Sequence, residues 1–303
     1  MSVDLLVERG AGRVVEHAPL GALTTYRVGG SVRALVQLRT YRDLEELGPL
    51  LGATGLEMCV IGNGSNLLVA DGEQDILAVK LGDGFSQLDW HDDGGQVLVS
   101  VGAGLDLPVA ARRLSNEGIC GFEWAVGVPG TMGGAVMMNA GGHGSDVASS
   151  LESARIWRNG VIEVVGVKDL HLDYRSSALA PGQIVVGAEL RLLRGDARRS
   201  GEQIREIVRW RREHQPGGAN GGSVFRNPSG EHAGRLIELS GCKGLRYNSA
   251  QVSEKHANFF VVEPAGRASD VYALIEIVRD RVLEVTGVAL HCEHHFVGFE
   301  ELG

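Results

Sequence analysis

Three groups of residues in this chain have types and spacings suited to chemistry. The first is Gly62-Asn63-Gly64-Ser65-Asn66-Leu67, set between two apolar runs. Glycines at 62 and 64 permit positive φ and let backbone approach a ligand closely. Successive N–H groups, joined by the side chains of Ser65 and Asn66, then make an anion nest. The loop is not a dinucleotide fingerprint, because Leu67 stands where the third glycine belongs, and no G-K-[ST] follows to make a phosphate loop. Taken alone, a tight turn between strands explains it equally well. The second group runs from Trp124 to Gly142, with glycines at 127, 130, 133, 134, 141 and 142 and with Pro129 and Thr131 between them. Packing explains such density poorly; the backbone there is expected to approach a diphosphate or a flat ring system. The third group is scattered: Tyr174-Arg175, Gly221-Gly222-Ser223, and Leu290-His291-Cys292-Glu293-His294-His295. By residue type alone these are a solvated arginine, a turn serine and a surface glutamate. In a strand, His291, Glu293 and His295 would share one face and Cys292 and His294 the other. Such neighbours suit zinc, but no second ligand group accompanies them, and no metal is expected.

The elements that must position these residues follow from periodicity. Residues 57–61, 76–81, 96–101, 156–157, 161–165 and 184–193 are β-rich runs ending near glycine. A helix is expected after Asp106, with Pro108 in its first turn, Val109, Ala110 and Leu114 as its stripe, and Gly118 as its stop. The segment after Tyr41 also has a helical stripe, but Gly48-Pro49 should break or kink it. Ser200-x-x-Gln203 has the form of a capping box for a helix carrying Ile204, Ile207, Val208 and Arg211 on one face, stopped by Gln215-Pro216. Arg205, Arg209, Arg211 and Arg212 on that helix read as a solvated face; the sharper alternative places one or two near a substrate phosphate. Val271, Leu274, Ile275, Val278, Val282 and Val285 mark a last long helix from about Ser269, closed by Gly287.

Composition narrows the class. The chain has 303 residues, 44% hydrophobic and 22% charged, which is enough for two or three packed domains. A formal net charge of −9 argues against a nucleic-acid binder. Cys59, Cys120, Cys242 and Cys292 are widely spaced and imply neither a disulfide framework nor a zinc ribbon. The start, Met1-Ser2-Val3-Asp4-Leu5-Leu6, lacks a basic segment and a long apolar core, so no signal peptide is expected. No stretch nears the roughly 20 apolar residues of a membrane span. A cytoplasmic protein is expected.

Taken together and in order, the motifs resemble a family. Tyr26-Arg27-Val28-Gly29-Gly30, the Gly62 loop, Gly127-Val128-Pro129-Gly130-Thr131-Met132-Gly133-Gly134-Ala135, Tyr174-Arg175-Ser176-Ser177, Gly222-Ser223-Val224-Phe225-Arg226-Asn227-Pro228, Ala233-Gly234-Arg235-Leu236-Ile237-Glu238 and Val252-Ser253-x-x-His256-Ala257-Asn258-Phe259 are similar to those of the UDP-N-acetylenolpyruvoylglucosamine reductase (MurB) family. The resemblance spans about residue 20 to the C-terminus. It implies an α+β fold: an FAD-binding domain of the vanillyl-alcohol-oxidase (PCMH) type made of two α/β subdomains, plus a C-terminal α/β substrate-binding domain. The implied boundaries are 1–82 and 83–198 for the subdomains, with strand 291–303 returning to the second, and 199–290 for the substrate domain. The FAD domain type accounts for the missing dinucleotide fingerprint.

The resemblance further implies a reaction and its residues. NADPH reduces non-covalently bound FAD, and the reduced flavin gives hydride to the terminal carbon of the enolpyruvyl ether of a UDP-sugar, making UDP-N-acetylmuramate for peptidoglycan. Arg175 and Glu293 would stabilise the enolate-like intermediate, Glu293 being protonated or water-bridged, and Ser223 would protonate the adjacent carbon. Cofactor contacts fall on Tyr26, Arg27, Gly29, Gly62, Asn63, Gly64, Ser65, Asn66, Leu67, Val128, Pro129, Gly130, Thr131, Gly133, Gly134, Asn139, Ala140 and Gly141. Substrate contacts fall on Tyr174, Arg226, Asn227, Lys255, His256 and Asn258. The chain is of the shorter type, without room for an extra tyrosine-bearing loop between Arg175 and Ser223, and a monomer is expected. It departs from the family at Cys292, where proline is usual, and at His295, where arginine is usual. Two alternatives remain at this point: a related flavin reductase of specialised metabolism acting on another enolpyruvyl or unsaturated nucleotide, and a non-catalytic flavin- or nucleotide-binding protein.

Overall fold

The computed structural model describes residues 3–9, 12–300 and 302; Met1 and Ser2, part of the segment read for a leader, lie outside these. The chain forms two units. One comprises Met1–Glu16, Ala34–Gly62 and Asp75–Arg211, the other His17–Arg33, Asn63–Gln74 and Arg212–Gly303. Each unit gathers segments far apart in sequence, so its cuts fall elsewhere than residues 82 and 198, and segment 291–303 lies in the unit that holds 212–290.

In the first unit a six-stranded antiparallel sheet runs in the order Val161–Gly166, Leu151–Arg158, Ile184–Arg194, Gln96–Gly102, Leu88–Asp93, with Ile119–Cys120 also on Ile184–Arg194. Alternation along Gln96–Gly102 turns Val97, Val99 and Val101 inward. They meet Leu107, Ala110 and Leu114 of helix Leu107–Asn116 in one core. Trp157, Ile184 and Val186 lie in another core with Leu44, Leu47, Leu77 and Val79. Leu77 and Val79 belong to a smaller sheet ordered Arg13–Ala18, Ser31–Leu38, Glu73–Leu81, Glu57–Ile61, whose last two strands are parallel.

Two helix expectations are corrected here. Helix Tyr41–Thr54 starts on a Thr40–Asp43 capping box and runs through Pro49 without ending. Its buried Leu44 and Leu47 before the proline, and Leu50 and Leu51 packed on the same core after it, anchor it on both sides. That packing outweighs the one lost backbone hydrogen bond. The basic helix begins at Ala197, not after Ser200. Asp196 caps it, accepting from the N–H groups of Arg198 and Arg199, while Ser200 is buried inside and donates its hydroxyl to Glu123 at 2.6 Å.

The second unit holds an antiparallel sheet in the order Ala219–Ser223, Phe259–Val262, Ala250–Val252, Arg246–Tyr247. Helix Ala268–Thr286 buries Val271, Leu274, Ile275, Val278 and Val282 of its predicted stripe, leaves Val285 exposed in its last turn, and ends on left-handed Gly287. Asp71 accepts from the N–H groups of Ala268 and Ser269 at the helix start. Strand His295–Val297 pairs in parallel with Leu67–Val69. Tyr26, Leu68, Phe225, Phe260 and Phe296 share the unit's core. Among the described residues no helix is long and apolar enough to cross a membrane.

Candidate active site

In the first unit the glycine-rich segments meet. A Cβ on Gly62 would sit 2.5 Å from Thr131 Oγ1, and one on Gly133 would sit 3.1 Å from the Ala103 side chain. Packing therefore favours glycine strongly at Gly62 and leaves little room for a side chain at Gly133. Gly134 and Gly142 differ: the nearest atom to a Cβ on Gly134 is Thr131 Oγ1 at 3.7 Å, and nothing lies within 4 Å of one on Gly142. No protein atom asks for glycine there, and the open backbone fits a flat or anionic group lying against it. Thr131 is buried and accepts from Gly134 N–H at 3.5 Å, while Val128 and Gly130 are half-buried and Pro129 is exposed.

The same unit sets Arg175. Asn139, only 3% exposed, donates from Nδ2 to the Asp173 carbonyl at 3.0 Å and accepts from Ala148 N–H at 3.0 Å. Ser177 donates to the Met137 carbonyl at 2.6 Å. These bonds tie the 173–177 turn to the segment holding Asn139, Ala140 and Gly141. Arg175 has left-handed backbone, φ 55°, and its Nη2 donates to the Gly141 carbonyl at 2.8 Å. Its guanidinium lies 5.2 Å from the ring centre of half-exposed Tyr174. The fork is thus aimed by its turn instead of waving in solvent.

The second unit brings Ser223 and Glu293 together. Glu293 N–H donates to the Val224 carbonyl at 2.8 Å, Arg226 N–H donates to the His291 carbonyl at 2.9 Å, and Phe225 bridges Cys292. Ser223 ends its strand, and both it and Glu293 are half-buried. Asn258, 3% exposed, holds this crossing rigid: its Oδ1 accepts from Phe225 N–H at 3.0 Å and its Nδ2 donates to the Phe225 carbonyl at 2.8 Å. Its own carbonyl accepts from Val224 N–H at 2.9 Å. The resemblance implies a substrate contact at Asn258; with its amide engaged on both sides in the interior, its side chain is turned to the Ser223 segment.

Other expected residues also find protein partners. Asn227 accepts from Ala233 N–H at 3.0 Å at the start of helix Ala233–Leu239. Lys255 is exposed and donates to the Arg212 carbonyl. His256 stacks edge-on against Phe259 and accepts from Asn258 N–H at 3.2 Å; burial lowers its pKa. Arg226 buries its Nε. Gly29, with φ 104°, would drive a Cβ to 2.1 Å from the Val69 carbonyl, and Gly64, with φ 61°, would press on Thr24. Leu67 pairs with His295, Asn63 and Ser65 are half-buried, and Arg27 is exposed. Tyr26 has no exposed surface, and its hydroxyl meets His294 Nε2 at 2.9 Å. Any part it has in holding a cofactor runs through its neighbours, because its ring is enclosed. Asn66 places Nδ2 on the Glu293 carbonyl at 2.8 Å and Oδ1 on His294 Nδ1 at 3.0 Å. His294 itself was missed as a site residue; the only local signal was the alternation that puts it opposite Glu293. Among the described residues no group of three or more His, Cys, Asp or Glu is placed to hold a metal ion.

Comparison with known proteins agrees with this architecture. Residues 32–160 match the family model described as FAD binding domain, and residues 214–297 match UDP-N-acetylenolpyruvoylglucosamine reductase, C-terminal domain. Similar proteins carry the name UDP-N-acetylenolpyruvoylglucosamine reductase. That of Rubrobacter xylanophilus is 40% identical over 282 residues, 92% of this chain and 94% of its own. That of Granulibacter bethesdensis is 40% identical over 288 residues, 95% of this chain and 92% of its own. The crystal structure of the Thermus caldophilus reductase aligns with a TM-score of 0.78 at 34% identity, covering 94% of this chain and 98% of that one. The fold and these matches define an α+β flavoprotein reductase with an FAD-binding domain. Within that class, the chain belongs to the UDP-N-acetylenolpyruvoylglucosamine reductase family.

Proposed function

We propose that this protein reduces UDP-N-acetylglucosamine enolpyruvate to UDP-N-acetylmuramate with NADPH, a step in peptidoglycan precursor synthesis. When bound, FAD supplies the hydride that NADPH has delivered to it. The open backbone at Gly134 and Gly142, with the Thr131 and Gly62 segments beside them, fits that group. The three-part division at 82 and 198 serves as the functional one, with the first two parts holding FAD and residues 199–290 the sugar nucleotide. Tyr174, Arg226, Lys255 and His256 supply polar contacts for that ligand.

Arg175 offers a planar fork to the substrate carboxylate, and Glu293 supports the charge that develops beside it when hydride arrives. Ser223 then gives its proton to the adjacent carbon. A hydroxyl is a weak acid, so it acts only when held in line with the strong base forming next to it. The observation that carries this reading is the locked crossing of the Ser223 and Glu293 segments, pinned by the 2.8 Å bond from Glu293 N–H to the Val224 carbonyl and by Asn258. A random pair of surface residues has no need of such a clamp. The protein acts as a cytoplasmic monomer with no nucleic-acid partner; the net charge of −9 disfavours a polyanion.

Stopped-flow absorbance tests the proposal. NADPH should bleach the flavin, and UDP-N-acetylglucosamine enolpyruvate should restore its colour. Ser223→Ala should bleach normally and recolour roughly 100- to 10,000-fold more slowly. Bleaching without recolouring in the wild-type protein would overturn the substrate; normal recolouring in Ser223→Ala would overturn the role of the serine.

A further inference from the structure

His294 lies beside Glu293 and is 3% exposed. Its partners determine every proton around it. Asn66 donates from Nδ2 to the Glu293 carbonyl at 2.8 Å, so its Oδ1 is the atom that faces His294 Nδ1 at 3.0 Å. An amide oxygen only accepts, so Nδ1 carries the proton. Nε2 is then an acceptor and takes the Tyr26 hydroxyl proton at 2.9 Å. The result is one directed chain: Tyr26 O–H to His294, His294 Nδ1–H to Asn66, Asn66 N–H to Glu293. It begins at Tyr26, whose ring abuts Gly221 two residues before Ser223, and ends on the backbone of Glu293.

We propose that His294 is a positioning residue that, as a neutral imidazole protonated on Nδ1, sets the reach of Ser223 and Glu293 through Tyr26 and Asn66. This rests on the roles assigned above to those two residues. Contact geometry supports it from a second side. A Cβ on Gly221 would lie 2.5 Å from the Tyr26 ring and 2.8 Å from His294 Nε2, so the Ser223 strand is seated directly on this pair. The rings of Tyr26 and His294 meet edge to face with centroids 5.6 Å apart. A cation at His294 would break the chain, because both nitrogens would donate and the Tyr26 hydroxyl would have to turn away. Burial, with a smaller push from His295, brings the His294 pKa down to about 3, and burial raises that of Tyr26. The groups facing the imidazole thus keep it neutral and Tyr26 protonated through the working range.

Nitrogen-15 NMR of the FAD-loaded protein tests the tautomer directly. His294 should show a protonated Nδ1 and an unprotonated Nε2 from pH 8 to pH 4. Protonation on Nε2, or a titration near pH 6.5, would overturn the proposal whatever the enzyme does. Kinetics test the consequence. His294→Phe should recolour with substrate roughly 10- to 100-fold more slowly, with KM and bleaching by NADPH unchanged, because a small misplacement of reacting groups is that costly. Tyr26→Phe should slow the same step less, and His294→Gln, which keeps a donor and an acceptor, should recover part of the rate. Equal loss in both half-reactions would mean a general structural role and sink the idea. If Ser223→Ala and Glu293→Gln both retain turnover, the functional reading fails instead, and the NMR result still judges the hydrogen-bond chain.

Discussion

The two units hold their proposed reactive groups by opposite means. The first uses backbone: its glycine-rich segments run from Gly127 to Gly142, and the open positions Gly134 and Gly142 leave main chain exposed to whatever lies there. Side-chain anchors such as Asn139 hold the segment but stay behind it. The second uses inward-facing polar side chains: Asn258, His294 and Tyr26 are enclosed, Asn66 is half-buried, and together they grip the main chain on either side of Ser223 and Glu293. A large flat cofactor needs surface, and glycine provides it. A single proton transfer needs one hydroxyl held to a fraction of an ångström, and only a satisfied buried network provides that.

Breaking the second unit's network should cost most. Asn258→Ala leaves the Phe225 N–H and C=O buried without their partners, each worth about 1–3 kcal/mol, and should lower stability by roughly 2–5 kcal/mol in chemical denaturation. A loss under 1 kcal/mol would mean that water replaces the amide, and the clamp would carry little weight. The next effect is on pH. His294 has a folded pKa of about 3 and an unfolded one near 6.5, so above pH 6.5 it is neutral in both states and contributes nothing. Below that, the unfolded chain binds a proton that the folded one refuses. Stability should fall as pH drops, by about 2 kcal/mol at pH 5, and continue to fall toward the folded pKa. Denaturation curves of wild type and His294→Phe should therefore converge as the pH is lowered from 7 to 5; parallel curves would contradict the burial of this imidazole.

Gly221→Ala compares the units more finely. Its methyl group has no room between Tyr26 and His294, and a loss of about 1–3 kcal/mol is expected, with slower recolouring by substrate. Gly134→Ala should do the reverse. It sits in helix Met132–Met137 with space around it, so the stability of flavin-free protein should stay within about 0.5 kcal/mol or rise. Flavin retention on gel filtration should drop, because the methyl group occupies the cofactor's side. If Gly134→Ala keeps its flavin fully, the open backbone there serves something else.

Much of the scaffold is legible without coordinates. The strand at 57–61, the helix after Asp106 and the helix closed by Gly287 come directly from apolar period and cap chemistry. The exceptions are instructive. Pro49 reads as a break, yet packing under Trp157 carries the helix past it. Ser200 reads as a cap, but Glu123, distant in sequence, takes its hydroxyl and leaves the cap to Asp196. Tyr26, Asn66 and Asn258 sit in recognisable motifs, and nothing local says that their side chains face inward.

Local pattern and motif order determined the fold class, the family and the glycine segments, and the resemblance points to Arg175, Ser223 and Glu293 as the proposed chemical set. Tertiary structure alone decided how Ser223 and Glu293 are held. Tyr26 and His294 are 268 positions apart along the chain, and Asn66 and His294 are 228 apart. Periodicity reports which face of an element is apolar. It carries no information about which distant acceptor a buried donor will meet, because that is set only when the core closes and each buried polar group must find a partner.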